Sequence, residues 1–158
     1  MLLEKLILTK DGAEILRRRL VKLQREFAEI SRIKTETAEN AGNLWHDNPA
    51  FDEISAKQRM LIYAMDKIKR QLEAAQIIDP SIVSERSKVA IGSTVDVSIN
   101  KSKTKKIVIS DPIVANPHKG LISYQSPLGA AVLGAKANEV RSYQADGKKF
   151  EVEIIAIR

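Results

Sequence analysis

The sequence predicts an α+β protein, with an antiparallel two-helix coiled coil in residues 1–79 and a small β-rich domain in residues 80–158. In the first half, apolar residues recur at alternating spacings of three and four, which is typical of a coiled coil. In the second half, short segments alternate apolar and polar residues, which is typical of strands. The linker between the halves begins at Asp79-Pro80, where charged residues and serines replace the apolar pattern.

The coiled coil is predicted from two seams of regularly spaced residues. The first seam consists of Leu16, Leu20, Leu23, Phe27, Ile30, Lys34, Thr37 and Ala41. The second consists of Phe51, Ile54, Gln58, Leu61, Met65, Ile68, Leu72 and Ala75. Between them, Gly42 and Pro49 break any continuous helix. Pro49 suits the first turn of the second helix, with Asn48 or Asp47 as its cap.

The two seams also predict the register of the hairpin. In an antiparallel pair folded about one turn, the numbers of facing residues add to a constant. When the first seam is taken forwards and the second backwards, all eight pairs add to 91 or 92, which places the apex near residue 46. One of these pairs is Lys34 with Gln58, a polar layer that fixes register at some cost in stability. With ~1.5 Å of rise per residue, roughly 36 residues from Lys10 to the turn give an arm of about 50 Å.

Five segments of the second half have the pattern of strands, and they are Thr94–Ile99, Ile107–Ile109, Leu121–Tyr124, Val140–Tyr143 and Phe150–Ile154. The run Lys101–Lys106 is predicted to form a solvated hairpin loop, whose positive charge could add a salt-dependent contact with nucleic acid. Ser126–Gly134 has the pattern of a short helix, with Pro127 in its first turn and Gly134 at its end. We expect four to six antiparallel strands with this helix packed on them. Their core is expected to be modest and aliphatic, because aromatic residues are only 4% of the sequence.

The composition excludes several kinds of site. No cysteine is present, which excludes disulfides, thiolate nucleophiles and cysteine-bound zinc. His46 and His118 are far apart in sequence, which argues against a histidine metal site. No apolar run approaches the length of a membrane span, and the charged N-terminus does not resemble a signal peptide. We therefore expect a soluble, cytoplasmic protein of bacterial type.

The net charge of +6 is distributed unevenly along the chain. Residues 1–34 carry a net charge of +4, whereas residues 35–56 contain five acidic residues and no lysine or arginine. Residues 57–80 and 81–158 return to net charges of +2 and +5. An acidic segment of this kind is commonly a solvated surface, but the predicted hairpin places this one at its apex.

Four segments resemble motifs of the bacterial GreA/GreB transcript cleavage factors, and with the order of the two domains the resemblance covers nearly the whole chain. Leu8–Leu16 resembles the family's Thr-x-x-Gly-x-x-x-Leu start, and Ala75–Asp79 resembles the end of its second helix. Ile91–Val95 resembles the first strand of its C-terminal domain. Ser126–Gly134 resembles its Ser-Pro signature, which is the more specific part of the resemblance.

The resemblance implies an FKBP-like C-terminal domain that binds bacterial RNA polymerase. Our hypothesis is that Ser126, Pro127, Leu128 and Gly134 contribute contacts, because a short helix that starts with proline presents its end to a partner. It also implies that the coiled coil enters the secondary channel of the polymerase and brings its tip to the catalytic centre. In the cleavage factors, two tip carboxylates help to hold Mg²⁺ there, and the polymerase itself cleaves backtracked RNA. We therefore expect a monomeric transcription elongation factor that is not itself an enzyme. It would have no cofactor of its own and would share any Mg²⁺ with the polymerase.

The tip sequence departs from the family pattern Gly-Asp-Leu-x-Glu-Asn-Ala-x-Tyr. Asn43 occupies the place of the first acidic residue, and its neutral amide oxygen is a poorer ligand for Mg²⁺. Asp47 corresponds best to the second acidic residue, although it is one carbon shorter and displaced by one extra residue. Asp47 is therefore the candidate catalytic and Mg²⁺-binding residue. Two hypotheses stay open: a factor that stimulates cleavage, and a channel-binding regulator or inhibitor that does not.

Other residues of the arm have two interpretations each. Trp45 and His46 are candidate contacts with the polymerase, or they stabilise the turn. Arg32, Lys57 and Arg59 lie behind the tip, where they either contact RNA phosphate or are exposed helix charges.

Three other function classes fit the sequence less well. A prolyl isomerase pocket needs an aromatic lining, and the aromatic residues of the second half are only Tyr124, Tyr143 and Phe150. A coiled-coil chaperone would explain Trp45 but not the acidic residues around it. A direct nucleic-acid binder suits the net charge of +6, but it would need aromatic residues near Lys101–Lys106.

Overall fold

The computed structural model describes residues 6–41, 48–82 and 87–158. These residues form two compact units. The hairpin unit contains Glu14–Ala75, and the sheet unit contains Ile7–Ala13 together with Gln76–Arg158. The sheet unit therefore takes in a short N-terminal segment that the sequence analysis places with the hairpin.

The hairpin unit is built from two long helices, α1 (Lys10–Ala41) and α2 (Pro49–Ala74). Asn48 caps α2, because its side chain accepts a hydrogen bond from the backbone N–H of Ala50 at 3.0 Å. Pro49 occupies the first turn, where its missing N–H leaves no partner unsatisfied. Both features of this helix start are as predicted.

The apolar seams face each other along these helices. Every seam position whose side chain the structure describes is buried or half-buried, and Leu16, Ile30, Leu61 and Ile68 are the most buried. Contacts between the helices run from Glu26 with Lys57 to Lys34 with Phe51, so α2 runs antiparallel to α1. The predicted antiparallel pair of long helices is confirmed.

The sheet unit contains a five-stranded sheet. Its strands are β3 (Thr94–Ile99), β4 (Lys105–Ser110), β5 (Leu121–Ser123), β6 (Val140–Ala145) and β7 (Lys148–Ile157). They lie side by side in the order β5-β4-β3-β7-β6. A short helix, α3 (Pro127–Val132), lies between β5 and β6 in sequence. The α+β fold class and all five predicted strands are confirmed, whereas the likeness to FKBP stays a prediction.

One strand pair differs from the expected antiparallel arrangement. β5 lies parallel to β4, with Val108 opposite Leu121. The segment between them first turns at Asp111, whose side chain accepts hydrogen bonds from the N–H groups of Ile113 and Val114. The chain then runs back along the sheet to a 3₁₀ turn at Pro117–Lys119, and only a return of this kind lets two neighbouring strands point the same way.

A second correction concerns the end of the hairpin. Ala75–Asp79, which resembles the end of the family's second helix, is not helical here. α2 ends at Ala74, and Ala75 is extended. Gln76–Ile78 instead forms strand β2, which pairs in parallel with β1 (Ile7–Thr9). Consecutive β-branched isoleucines at 77 and 78 favour a strand over a further helical turn.

The core of the sheet unit is aliphatic, as the composition predicts. Its buried members are Val89, Ile91, Val95, Val97, Ile107, Ile109, Val132, Ala135, Val152 and Ile154. The aromatic pair Tyr143 and Phe150 stacks at one side with ring centroids 5.3 Å apart. Within the described ranges, no helix combines the length and apolar character needed to cross a bilayer.

Candidate functional site

The predicted tip residues Asn43, Trp45, His46 and Asp47 lie outside the described residues. Their proposed roles in metal binding and polymerase contact therefore stay predictions. The structure does describe the two helices that carry them, up to Ala41 on one side and from Asn48 on the other.

The first turn of α2 is fixed against α1 by a cation–π contact. The ammonium group of Lys34 lies 4.7 Å from the centre of the Phe51 ring. Phe51 stands three residues after the cap Asn48. The orientation of the turn that begins α2 thus depends on a residue of the opposite helix.

The same lysine belongs to the predicted polar layer within the seam. Its Nζ donates to Oε1 of Gln58 at 3.0 Å, and Nε2 of Gln58 donates to Oγ of Ser31 at 2.9 Å. Ser31 in turn donates to the carbonyl of Phe27 at 2.8 Å. Each of these half-buried polar groups has a partner, so the layer can specify the register without leaving a buried charge uncompensated.

The three RNA-binding candidates of the arm differ in their carboxylate partners. Arg32 pairs with Glu29 at 2.8 Å and with Glu36 one turn further on. Lys57 pairs with Glu26 across the hairpin at 3.5 Å, and Arg59 is exposed on α2. The hydrogen bond from Arg32 lowers the pKa of Glu29, and the same bond raises the pKa of Arg32. These glutamates compete with any phosphate for Arg32 and Lys57.

The Ser126–Gly134 segment folds as predicted. Oγ of Ser126 accepts from the N–H of Gly129 at 3.1 Å and donates to the carbonyl of Ser123 at 2.8 Å. Pro127 begins α3 and is exposed, and Gly134 follows the helix with a φ of 76° in the left-handed region. Ser126 therefore has a local structural role, and a partner could reach the exposed Pro127.

A shallow groove of about 440 Å³ lies beside this segment. Its lining residues are Ile99, Lys105, Lys106, Ile107, Pro117, Gly120, Ile122 and Leu128. The groove combines an aliphatic floor with two lysines, which suits a partner that presents aliphatic and acidic side chains. Of its lining, the sequence pointed to Leu128 as a partner contact, and to Lys105 and Lys106 only as part of the charged run Lys101–Lys106. The strand isoleucines of the floor gave no separate signal, because inward-facing strand positions have the same pattern in any sheet.

A buried carboxylate that was not predicted from the sequence lies at the start of α1. Asp111 is fully buried, and its Oδ2 accepts from both the N–H and the hydroxyl of Thr9. The Thr9 hydroxyl oxygen accepts from the N–H of Gly12 at 3.1 Å, so Thr9 caps the helix. A Cβ on Gly12 would lie 2.5 Å from the Asp111 carboxylate. The signal was the Thr-x-x-Gly spacing, whose physical reason is this close approach.

No group of three or more histidine or acidic side chains that could hold a metal ion occurs in the part of the chain that the structure describes.

Comparisons with known proteins identify the family. The family model described as "Transcription elongation factor, GreA/GreB, C-term" matches residues 84–158. The transcription elongation factor GreA of Alkalilimnicola ehrlichii is 32% identical over 160 residues, with 99% of each chain covered. The chain belongs to the GreA/GreB family. It is a transcription elongation factor, as the resemblance in the sequence predicts.

Further relatives of this GreA/GreB-family factor span its whole length as well. The GreA of Thermomicrobium roseum is 30% identical over 158 residues, with 98% of each chain covered. Among solved structures, GreA factor homolog 1 of Thermus thermophilus matches with a TM-score of 0.45 and 23% identity, covering 98% of this chain and 99% of that one.

Proposed function

We propose that this elongation factor binds bacterial RNA polymerase through its sheet unit and inserts the α1–α2 hairpin into the secondary channel. The observation that carries the proposal is the hairpin itself. α1 has 32 residues and α2 has 26. At ~1.5 Å per residue these helices are about 48 and 39 Å long, and an arm of this length is the part of the protein suited to enter a channel.

The charge of the hairpin supports this use. The outer part, residues 35–56, contains acidic residues without any lysine or arginine. Catalytic centres that transfer phosphoryl groups contain Mg²⁺, which attracts carboxylates. An acidic tip would therefore be drawn towards such a centre and not repelled by it.

The tip of this chain is poorly suited to hold Mg²⁺ by itself. Asp47 offers one carboxylate and Asn43 one neutral amide oxygen, whereas Mg²⁺ takes six oxygen ligands in octahedral geometry. Any ion at the tip would thus belong to the polymerase, and Asp47 would supply one ligand. The chemistry of the bound ion would be the activation of water for hydrolysis of backtracked RNA.

A second candidate function is regulation by occupancy of the channel without cleavage. The observation that favours it is Asn43, which removes one of the two carboxylates of the family pattern. In that case the hairpin would slow nucleotide addition by filling the channel, and Trp45 would contact the polymerase.

The test of the tip is the length of RNA in backtracked complexes. A cleavage factor should shorten the RNA, Asp47→Ala should abolish the effect while polymerase affinity is kept, and Asn43→Asp should increase it. Glu53→Ala is the matched control, since it removes an exposed acidic side chain from the same segment. A channel regulator should leave the RNA intact at every Mg²⁺ concentration yet slow its extension, and Trp45→Ala should weaken that effect. Strong cleavage that survives Asp47→Ala would contradict both candidates.

The anchor in the sheet unit needs a separate test. We assign it to the groove beside α3, because its lysines and aliphatic floor adjoin the exposed Pro127. The double variant Lys105→Glu/Lys106→Glu should weaken polymerase binding by about tenfold or more, since like charges across an interface are costly. The control Lys148→Glu/Lys149→Glu makes the same charge change at exposed positions away from the groove. Equal affinity of the two variants would rule out the groove as anchor.

A further inference from the structure

The N-terminal half of α1, which we call the root of the arm, has an exposed face rich in arginine. A shallow groove of about 390 Å³ runs along it, lined by Glu14, Arg17, Arg18, Val21, Lys22 and Arg25. All six side chains are exposed. Their spacing of three and four residues places them on one side of the helix, and we call this surface the basic face. Between Arg17 and Arg25, five of the nine residues are arginine or lysine and none is acidic.

The cations of the basic face are largely free of carboxylate partners. Arg17, Lys22 and Arg25 make no ion pair with any residue that the structure describes, and Arg18 pairs only with Glu14, at 2.9 Å. By contrast, Arg32 and Lys57 nearer the tip are paired with glutamates. The basic face is therefore a run of available positive charge in the N-terminal half of α1, away from the acidic segment.

The side chains of this face suit phosphate groups. Arginine presents a planar fork of donors that binds phosphate oxygens in pairs. Arg17 and Arg25 are about 12 Å apart along the helix axis, so the four cations can reach successive phosphates of one strand. Carboxylates accept from the same fork, so an acidic protein surface is the competing partner that the test has to exclude.

The face also distinguishes between kinds of nucleic acid. It contains no aromatic side chain, and Val21, 45% exposed, is its only apolar member. Proteins that bind single strands stack bases on aromatic rings, whereas a duplex keeps its bases inside and presents phosphates outward. We infer that the basic face of α1 binds the phosphate backbone of duplex DNA, in addition to the contacts proposed with the polymerase.

The inference can be tested with the full chain alone. Its affinity for a fluorescent duplex DNA of about 20 base pairs would be measured over a range of salt concentrations. Each phosphate contact contributes roughly 0.9 to the slope of log affinity against log salt. Arg17→Gln/Arg25→Gln should therefore lower the slope by about 2 and weaken binding about tenfold at low salt. The double variant Arg17→Lys/Arg25→Lys keeps the charge but loses the guanidinium fork. Its affinity for the duplex should lie between those of wild type and Arg17→Gln/Arg25→Gln.

The matched control is Lys148→Gln/Lys149→Gln, which loses the same charge from exposed positions of the sheet unit. It should keep the affinity within about twofold and leave the slope almost unchanged. Circular dichroism should show the same helix content in all variants, because every substituted side chain is exposed. If Arg17→Gln/Arg25→Gln and Lys148→Gln/Lys149→Gln lose the same amount of affinity for DNA, the binding depends on net charge alone and the inference is overturned. So would tighter binding to single-stranded RNA of the same length, or displacement of the duplex by polyglutamate at equal charge.

Discussion

The carboxylate of Asp111 accepts two hydrogen bonds from Thr9, one from its backbone N–H and one from its hydroxyl, across 102 residues of sequence. The other oxygen of the same carboxylate accepts from the N–H groups of Ile113 and Val114 at 2.8 and 3.1 Å. One fully buried side chain therefore closes a turn after β4 and holds the start of α1.

Asp111→Ala should destabilise the protein by about 3 kcal/mol or more, because several buried donors lose their acceptor at once. Urea unfolding followed by circular dichroism measures the change. Thr9→Val removes only the hydroxyl and should cost less, about 1–2 kcal/mol. Glu153→Ala, at an exposed position of β7, is the control and should stay within about 0.5 kcal/mol of wild type. An Asp111→Ala protein as stable as this control would contradict the assigned role.

The polar layer of the hairpin predicts an asymmetry between single and double variants. Gln58→Leu leaves the Lys34 ammonium without its acceptor and should destabilise the protein by about 1 kcal/mol. Lys34→Leu/Gln58→Leu replaces the whole layer by apolar side chains and should stabilise it by about 1–2 kcal/mol. Thermal unfolding of the three proteins tests the order. A double variant less stable than the single one would show that the layer itself stabilises the hairpin.

The tight packing around Gly129 predicts that a larger residue at this position destabilises the sheet unit. A Cβ at this position would overlap the carbonyl oxygen of Ser123, which is backbone and has little freedom to move. Gly129→Ala should therefore cost about 2 kcal/mol or more. Gly134→Ala is the informative comparison, because its Cβ would meet nothing within 4 Å and only its φ of 76° is unfavourable. Its expected cost is about 1 kcal/mol. Equal melting temperatures would exclude the predicted overlap.

The lowered pKa of Asp79 predicts that the folded protein loses stability in acid. Its pKa is lowered from 3.8 to about 2, first by the hydrogen bond from Lys10 at 2.5 Å and then by those from the hydroxyl and N–H of Ser81. Because the pKa is lower in the folded protein, this contribution is complete above about pH 4 and disappears as the pH falls towards 2. The stability difference between wild type and Asp79→Asn should therefore shrink over that range. Parallel stability curves between pH 4.5 and 2 would contradict the shift.

The parts of the fold that sequence could predict depend on local or periodic signals. The two seams predicted the pairing of Lys34 with Gln58, because helical periodicity and one turn determine the register. Asn48-Pro49 and Ser126-Pro127 predicted two helix starts, because capping involves residues only two or three apart. The glutamate partners of Arg32 and Lys57 could not be predicted from sequence, since each charge has several neighbours within reach on a helix.

The parts that sequence could not predict depend on distant residues. β1 and β2 have three residues each, and their pairing joins the two ends of the hairpin. The parallel placement of β5 depends on how the segment after Asp111 turns back, which no periodicity encodes. The role of Asp111 could not be predicted, because an isolated aspartate after a strand has the same sequence pattern whether it is exposed or fully buried.

The pairing of β1 with β2 also constrains the order of events during synthesis. β1 leaves the ribosome first, but its partner follows only after both helices have been made. A hairpin that has folded on its own local contacts brings the ends of the intervening segment together and shortens the effective loop that the strand pair must close. We therefore expect the helical arm to assist the pairing of β1 with β2, and substitutions that slow its formation should delay that pairing.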